Sequence, residues 1–302
     1  MKALRELEAD FRRAPSAHNT QPWTLTYTGT GAVVGWDPER ALPVSDPTGR
    51  DLRLGLGAFV ETCLIVCASA GLRVGFRADP GPLRVGVLHE AAEPYRTEFT
   101  TADVRGRGTN RGPYHPGRLP GDLVPGVRRV ACRDLAALLH AADLHQFGDA
   151  AVTAELREWL RLTPRHRRYD LDGLTDRALA LSGAEALGLR AALAVYPVLR
   201  RAGLPRVLAA AGKGLLDYDG EALVLVGPPG EEVEMGRELM RIWLTLSTRG
   251  YTTHPLSQII DSPPTRALLA AHLGVDDPDS LLHIARAGLP KGAAPRSARI
   301  PS

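Results

Sequence analysis

The 302-residue chain is poor in several features that would have settled its class at once. Its three cysteines, Cys63, Cys67 and Cys132, include no Cys-x-x-Cys pair, so a disulfide framework is not expected and a reducing cytoplasm fits best. Cys63 and Cys67 stand one helical turn apart in an apolar stretch and are expected as buried thiols. Aromatic residues are only 5% of the chain, which argues against a nucleic-acid reader that stacks bases beside its arginines. No window approaches 18 uninterrupted apolar residues, so no membrane span is expected. The start, Met1-Lys2-Ala3-Leu4-Arg5-Glu6, reads as a charged amphipathic helix and not as a signal peptide. Gly55-Leu56-Gly57 is followed by Val60 where a dinucleotide fingerprint needs its third glycine. Neither Gly-x-Ser-x-Gly nor His-Glu-x-x-His occurs, and His140 and His145, five apart, do not share one helix face as metal ligands would.

What is present is enough for a sizeable core: 44% hydrophobic and 24% charged residues, in one large domain or two smaller ones. The net charge of +3 is unevenly placed. Arg105, Arg107, Arg111 and Arg118 cluster together, as do Arg165, His166, Arg167 and Arg168, while Lys291, Arg296 and Arg299 lie in a tail without acids. Periodicity predicts a helix over 2–13, a hairpin of Thr24–Thr28 and Ala32–Trp36, and a helix over 51–70 capped by Asp46 or Thr48 and stopped at Gly71. Strands follow at Arg73–Arg77 and Leu83–Leu88, closing a first unit near residue 95. The second unit gives a strand at Val127–Cys132 and helices at Asp134–Leu144 and Ala150–Leu162. An apolar helical segment follows at 182–218, as core by default or else as an interface arm or lid. Then come a buried strand at Ala222–Val226, helices at Glu234–Arg249 and from Ser262 to His272, and a last strand at Leu281–Ala287.

Four short runs carry chemical interest. Ala14-Pro-Ser-Ala-His-Asn-Thr-Gln-Pro-Trp23 sets polar residues between two prolines, each of which disfavours helix before it. Ser16, Asn19 and Thr20 can bond to their own backbone and hold a tight loop with polar atoms outward. By composition alone, a plain helix-to-strand connection capped by a core tryptophan is the expected reading. Arg107-Gly-Thr-Asn-Arg111 offers two guanidinium forks suited to phosphate oxygens, with the Thr109 hydroxyl between them; a solvated basic loop is the alternative. Pro255-Leu-Ser-Gln258 reads as a strand end and turn, and Pro295-Arg-Ser-Ala-Arg299 as a flexible basic tail.

The first of these runs resembles the Pro-Ser-x-x-Asn-x-Gln-Pro-Trp motif of nitroreductase-family flavoproteins. Leu42–Asp51 with the following Leu54–Cys63, and Pro255–Pro264, are similar to the Acg-type branch of that family. The resemblance extends from about residue 10 to about 300 and is weakest between about 180 and 218. It implies an α+β nitroreductase-like fold in which two fused halves imitate the usual dimer. The first half would be 1–100, and the second 101–302 with a helical insert at about 182–218. It implies FMN, with Ser16, His18, Asn19 and Gln21 at the ring edge and Arg107, Thr109 and Arg111 on the phosphate. Arg296, and after it Arg299, would complete the phosphate pocket, and Arg50 would lie on the pyrimidine side or the ribityl chain. A backbone N–H of Leu256 or Ser257, after Pro255, would face the flavin N5. No side chain is expected as catalytic acid.

The function so implied is ping-pong hydride transfer from NAD(P)H or a metabolite to a small electron-poor acceptor. A protein that holds FMN without turnover, covered by 182–218, is the alternative, and an interaction protein without cofactor a third. Partners are expected to be small molecules, not nucleic acid or membrane. The chain would act as a monomer imitating a dimer, or as a homodimer.

Overall fold

The computed structural model describes residues 2–301. The amphipathic start is not one helix. The Leu7 N–H bonds to the Leu4 carbonyl, three residues back, and this tightened step separates α1 (Lys2–Glu6) from α2 (Glu8–Phe11). The hairpin follows as expected, β1 (Trp23–Tyr27) and β2 (Gly31–Trp36), with Trp23 opposite Trp36. α3 (Arg50–Ser69) begins where the Asp46 carboxylate accepts the Leu52 N–H at 2.8 Å, and ends at Gly71, whose φ of +73° suits glycine. β3 (Val74–Gly81), β4 (Arg84–Glu90) and the capping-box helix α4 (Thr101–Gly106) complete this region.

The chain continues through β5 (Arg128–Ala131), α5 (Cys132–Gly148), α6 (Ala150–Trp159), β6 (Leu160–Arg161) and β7 (Leu174–Thr175). It then forms α7 (Gly183–Leu199), α8 (Leu204–Ala210), β8 (Glu221–Val226) and α9 (Glu232–Thr248). β9 (Thr252–Pro255), α10 (Gln258–Asp261), α11 (Pro263–Leu273) and β10 (Leu281–Gly288) end the regular structure. Two antiparallel sheets result, ordered β1-β2-β4-β3 and β5-β8-β10-β9, with a short parallel pair β6-β7. The architecture is α+β.

The two sheets are tied by the crossing of α3 and α9. Gly57 of α3 and Gly236 of α9 lie where the helices touch. A Cβ on Gly57 would stand 1.9 Å from the Val233 carbonyl oxygen, and one on Gly236 would stand 2.2 Å from that of Leu54. Only glycine allows this approach. On one side of the crossing, Met240 and Leu244 of α9 join Phe59, Val60 and Leu64 in the core under the first sheet. On the other, Leu239, Ile242, Trp243 and Leu246 pack with Leu54, Leu223, Leu225 and Leu282. Glu61, fully buried in α3, accepts from Arg237 Nε and Arg241 Nη1, each at 3.0 Å, and from the Tyr95 hydroxyl at 2.7 Å. Of the helices described, only α3 is long and apolar enough to cross a membrane, and here it is mostly buried inside the protein.

The segment over 182–218 is helical, but its first part is not core. Leu193 and Tyr196 of α7 and Leu208 of α8 form a small cluster of their own, and much apolar surface stays outside. At its end Leu216 enters the core of the second sheet, with Leu215 and Tyr218 packed against it.

Candidate functional site

The Pro15–Trp23 run folds into a strained loop. His18, Asn19 and Gln21 have φ of +46°, +56° and +53°, three non-glycine residues in the left-handed region within four positions. Such conformations cost on the order of 1–3 kcal/mol each and concentrate at functional sites. Ser16 holds the loop by accepting the Gln21 N–H on its hydroxyl at 2.9 Å. Trp23 closes it by stacking on Phe59, ring centroids 4.9 Å apart, so the tryptophan is core and the loop before it is still irregular.

The polar side chains of the loop are used as clamps. Asn19 Nδ2 donates to the Gly173 and Ala298 carbonyls at 3.3 and 3.1 Å. Gln21 Nε2 donates to the Leu171 carbonyl at 2.8 Å, and its Oε1 accepts the Ile300 N–H at 3.0 Å. The C-terminal tail and residues 171–173 therefore lie directly on the loop. His18 and Trp23 each leave a ring nitrogen buried without a partner, and the imidazole is the titratable one. Its Nδ1 is buried without a partner, and burial holds its pKa at about 4 against the opposing pull of Glu155.

The arginine run lies along the edge of the second sheet. Thr109 bridges Thr253 in parallel, and the Asn110 N–H donates to the Thr253 carbonyl at 3.0 Å, so the run extends past β9. Arg107 stacks over the Trp243 ring of α9 at 5.5 Å, and its Nε and Nη1 are buried without any hydrogen-bond partner. Arg111 has one contact, to the Ala178 carbonyl at 3.0 Å. Arg299 donates to Asn19 Oδ1 at 2.9 Å and to the Arg13 and Ala14 carbonyls, while its Nε is orphaned. Among the described residues none of these three guanidinium groups has a carboxylate partner. Burial lowers Arg107 and Arg111 to about 10 and Arg299 to about 9, the last pressed further down by the neighbouring charge of Arg107. Arg107, Arg111 and Arg299 are thus half-buried cations with no compensating acid among the described residues, an environment that favours a bound anion.

Other expected residues stand elsewhere. Arg296 is exposed and donates to the Arg105 carbonyl at 2.9 Å, whereas Arg299 is half-buried against Asn19. Arg50 is not a free cation: Asp51 and Asp261 hold it at 2.7 and 2.6 Å, and these contacts raise its pKa although burial opposes the charge. The Leu256 N–H is committed to the Ile284 carbonyl at 2.9 Å, because the strand pairing of β9 with β10 runs one residue beyond Pro255. Leu256 itself is core. Of the two proposed backbone donors only Ser257, at the head of α10, stays uncommitted.

Arg286 is a residue the sequence pattern did not single out. From β10 it donates to the Arg111 and Gly112 carbonyls at 3.0 and 2.9 Å, to the Leu215 carbonyl at 2.8 Å and to His254 Nδ1 at 3.1 Å. It lies over Tyr114 at 4.8 Å and fixes the backbone on which Arg111 stands. The arginine run thus lies beside the strand-end turn at Thr253 and against the tail, which in turn clamps the strained polar loop.

The chain is similar to the "Putative NAD(P)H nitroreductase Rv3131" of Mycobacterium tuberculosis, 24% identical over 271 residues that cover 86% of this chain and 78% of the relative. It is similar to the "Putative NAD(P)H nitroreductase acg" of the same organism, 26% identical over 302 residues, covering 94% and 90%. A third relative there, "Uncharacterized protein Rv3127", is 25% identical over 319 residues, covering 96% and 86%. No family model matches the chain. The likeness over most of its length supports assigning the chain to the nitroreductase family.

Proposed function

We propose that this chain is an FMN-dependent oxidoreductase of nitroreductase type. It would pass a hydride from NAD(P)H to an electron-poor acceptor, such as a quinone or nitroaromatic, by a ping-pong sequence. The names of its relatives support the oxidoreductase class. The observation that carries the cofactor is the trio Arg107, Arg111 and Arg299, half-buried without an acid and with three of their nitrogens orphaned. A phosphate fits that demand: its oxygens accept from several guanidinium forks at once.

When bound, FMN would supply the hydride acceptor and donor at its N5. Arg107, Arg111 and Arg299 would hold its phosphate. The His18 Nδ1 and the Ser257 N–H would meet the ring, and fixed dipoles there tune its acceptance of charge. The loop comes from residues 1–100 and the arginine run from 101–302, so one chain would supply both sides of a site that two fused halves share.

The tail and residues 171–173 close over the loop, and this enclosure favours a second reading, a protein that holds FMN without turnover. Both are tested by adding FMN to the apoprotein, following fluorescence quenching, and then adding NADH or NADPH without oxygen. Binding followed by bleaching of the flavin absorbance is expected. Binding without bleaching by either nucleotide assigns storage, and no quenching defeats both.

A further inference from the structure

α7 is apolar on every side. Between Gly183 and Leu199 its only charged residues are Glu185 and Arg190, and its inner positions Ala186, Leu193 and Tyr196 are already buried. A helix of that composition is normally covered all round. Here Leu187 is 64% exposed, Val195 45% and Val198 80%. The outward residues are ordered, not scattered. Exposed Ala184, Leu187, Ala191, Ala194 and Val198 succeed one another at alternating steps of three and four, the spacing by which one helix lies along another.

We infer that a second copy of this chain covers this face, α7 packing antiparallel on its own equivalent about a two-fold axis. The inference does not depend on the cofactor. Alanines at the middle of the seam let two backbones approach, whereas a helix that lies in a bilayer surface carries bulky Leu, Phe or Trp there. Charge sets the direction. Glu185 sits at the first turn, and Arg200 and Arg201 directly follow the last. Antiparallel pairing places each acid beside the other copy's arginines, twice, and sets Leu187 against Val198 and Ala191 against Ala194. The contact is isologous, so it closes as a dimer. One helix pair is small for a specific interface, so the dissociation constant should be on the order of micromolar. An anionic membrane is the competing occupant, because residues 183–213 hold five basic side chains and one acid.

Sedimentation velocity of the full chain from micromolar to submillimolar concentration tests this. Wild type is expected to show a monomer–dimer equilibrium, and Ala191→Glu to be monomeric with an unchanged thermal melt, since the position is exposed. Arg200→Glu with Arg201→Glu should weaken the dimer about tenfold by setting acid against acid, and adding Glu185→Lys should recover it. A wild type that stays monomeric throughout, or a dimer indifferent to Ala191→Glu, overturns the inference. So does a monomer that binds phosphatidylglycerol vesicles through this face and loses that binding in Ala191→Glu.

Discussion

Arg299 Nη1 donates to Asn19 Oδ1 at 2.9 Å, joining residues 280 apart in sequence. The tail, the strained loop and the arginine run meet there. Each was visible in the sequence only as a separate short motif.

The unpaired arginines should show a trade between folding and binding. Replacing Arg107 or Arg111 by Gln removes a half-buried charge that has no acidic partner, so the apoprotein should melt at the same temperature or higher. FMN affinity should fall roughly tenfold to a hundredfold per substitution, the worth of a charge-assisted hydrogen bond. Fluorescence titration and paired melts with and without FMN check both halves. An apoprotein strongly destabilised by Arg107→Gln, with flavin affinity intact, would contradict the site.

Glu61 should behave in the opposite way. It is the buried acid that compensates Arg237 and Arg241, so Glu61→Ala leaves two cations and the Tyr95 hydroxyl without their shared acceptor. The expected loss is about 3–5 kcal/mol, the range for breaking one side of a buried ion pair. Urea unfolding with an unchanged m-value measures it.

Gly57→Ala and Gly236→Ala should each destabilise by about 1–3 kcal/mol or more, because the new methyl meets a carbonyl on the other helix with nowhere to move. Gly29→Ala, at a position with nothing within 4 Å of the added carbon, is the control and should stay close to wild type.

His283 gives a pH signature. It is buried against the Trp243 ring with Nε2 unpartnered, and burial holds its pKa at about 4, below the ordinary 6.5. Between those values the unfolded chain takes up a proton that the folded chain refuses, so its contribution to stability falls as pH drops from about 6.5 to about 4. Below both values the loss is complete. His283→Gln should flatten that part of the stability profile relative to wild type. Raised carboxyl groups such as Asp143, at about 6 through burial, act in the opposite sense, so the difference between the two proteins is the quantity to measure.

The local grammar was largely readable. Prolines and polar residues marked the loop, spacing marked the arginine run, and glycines at 71, 250 and 274 marked helix ends with φ of +73°, +81° and +63°. What was not readable depended on pairing between distant segments. Arg286 gains its role only because β10 lies beside β9. The Leu256 N–H is lost to Ile284 for the same reason, and Arg50 is neutralised by Asp261, 211 positions away. That Arg299 and not Arg296 reaches Asn19 turned on which face of an irregular tail meets the loop, and composition carries no trace of that. Apolar content marked 182–218 as helix, which holds to Ala210 and gives way to turns beyond it, but could not say that one side of α7 would face outward.

The crossing at Gly57 and Gly236 reaches further than its own two residues. α3 backs the strained loop, with Gly55 against Pro15 and Ser16, and α9 carries the indole on which Arg107 rests. The gap between loop and arginine is therefore gauged at a point that touches neither. An added methyl there would work as a shim, widening a distant aperture, so mutants that still fold could lose their ligand with every residue facing it intact.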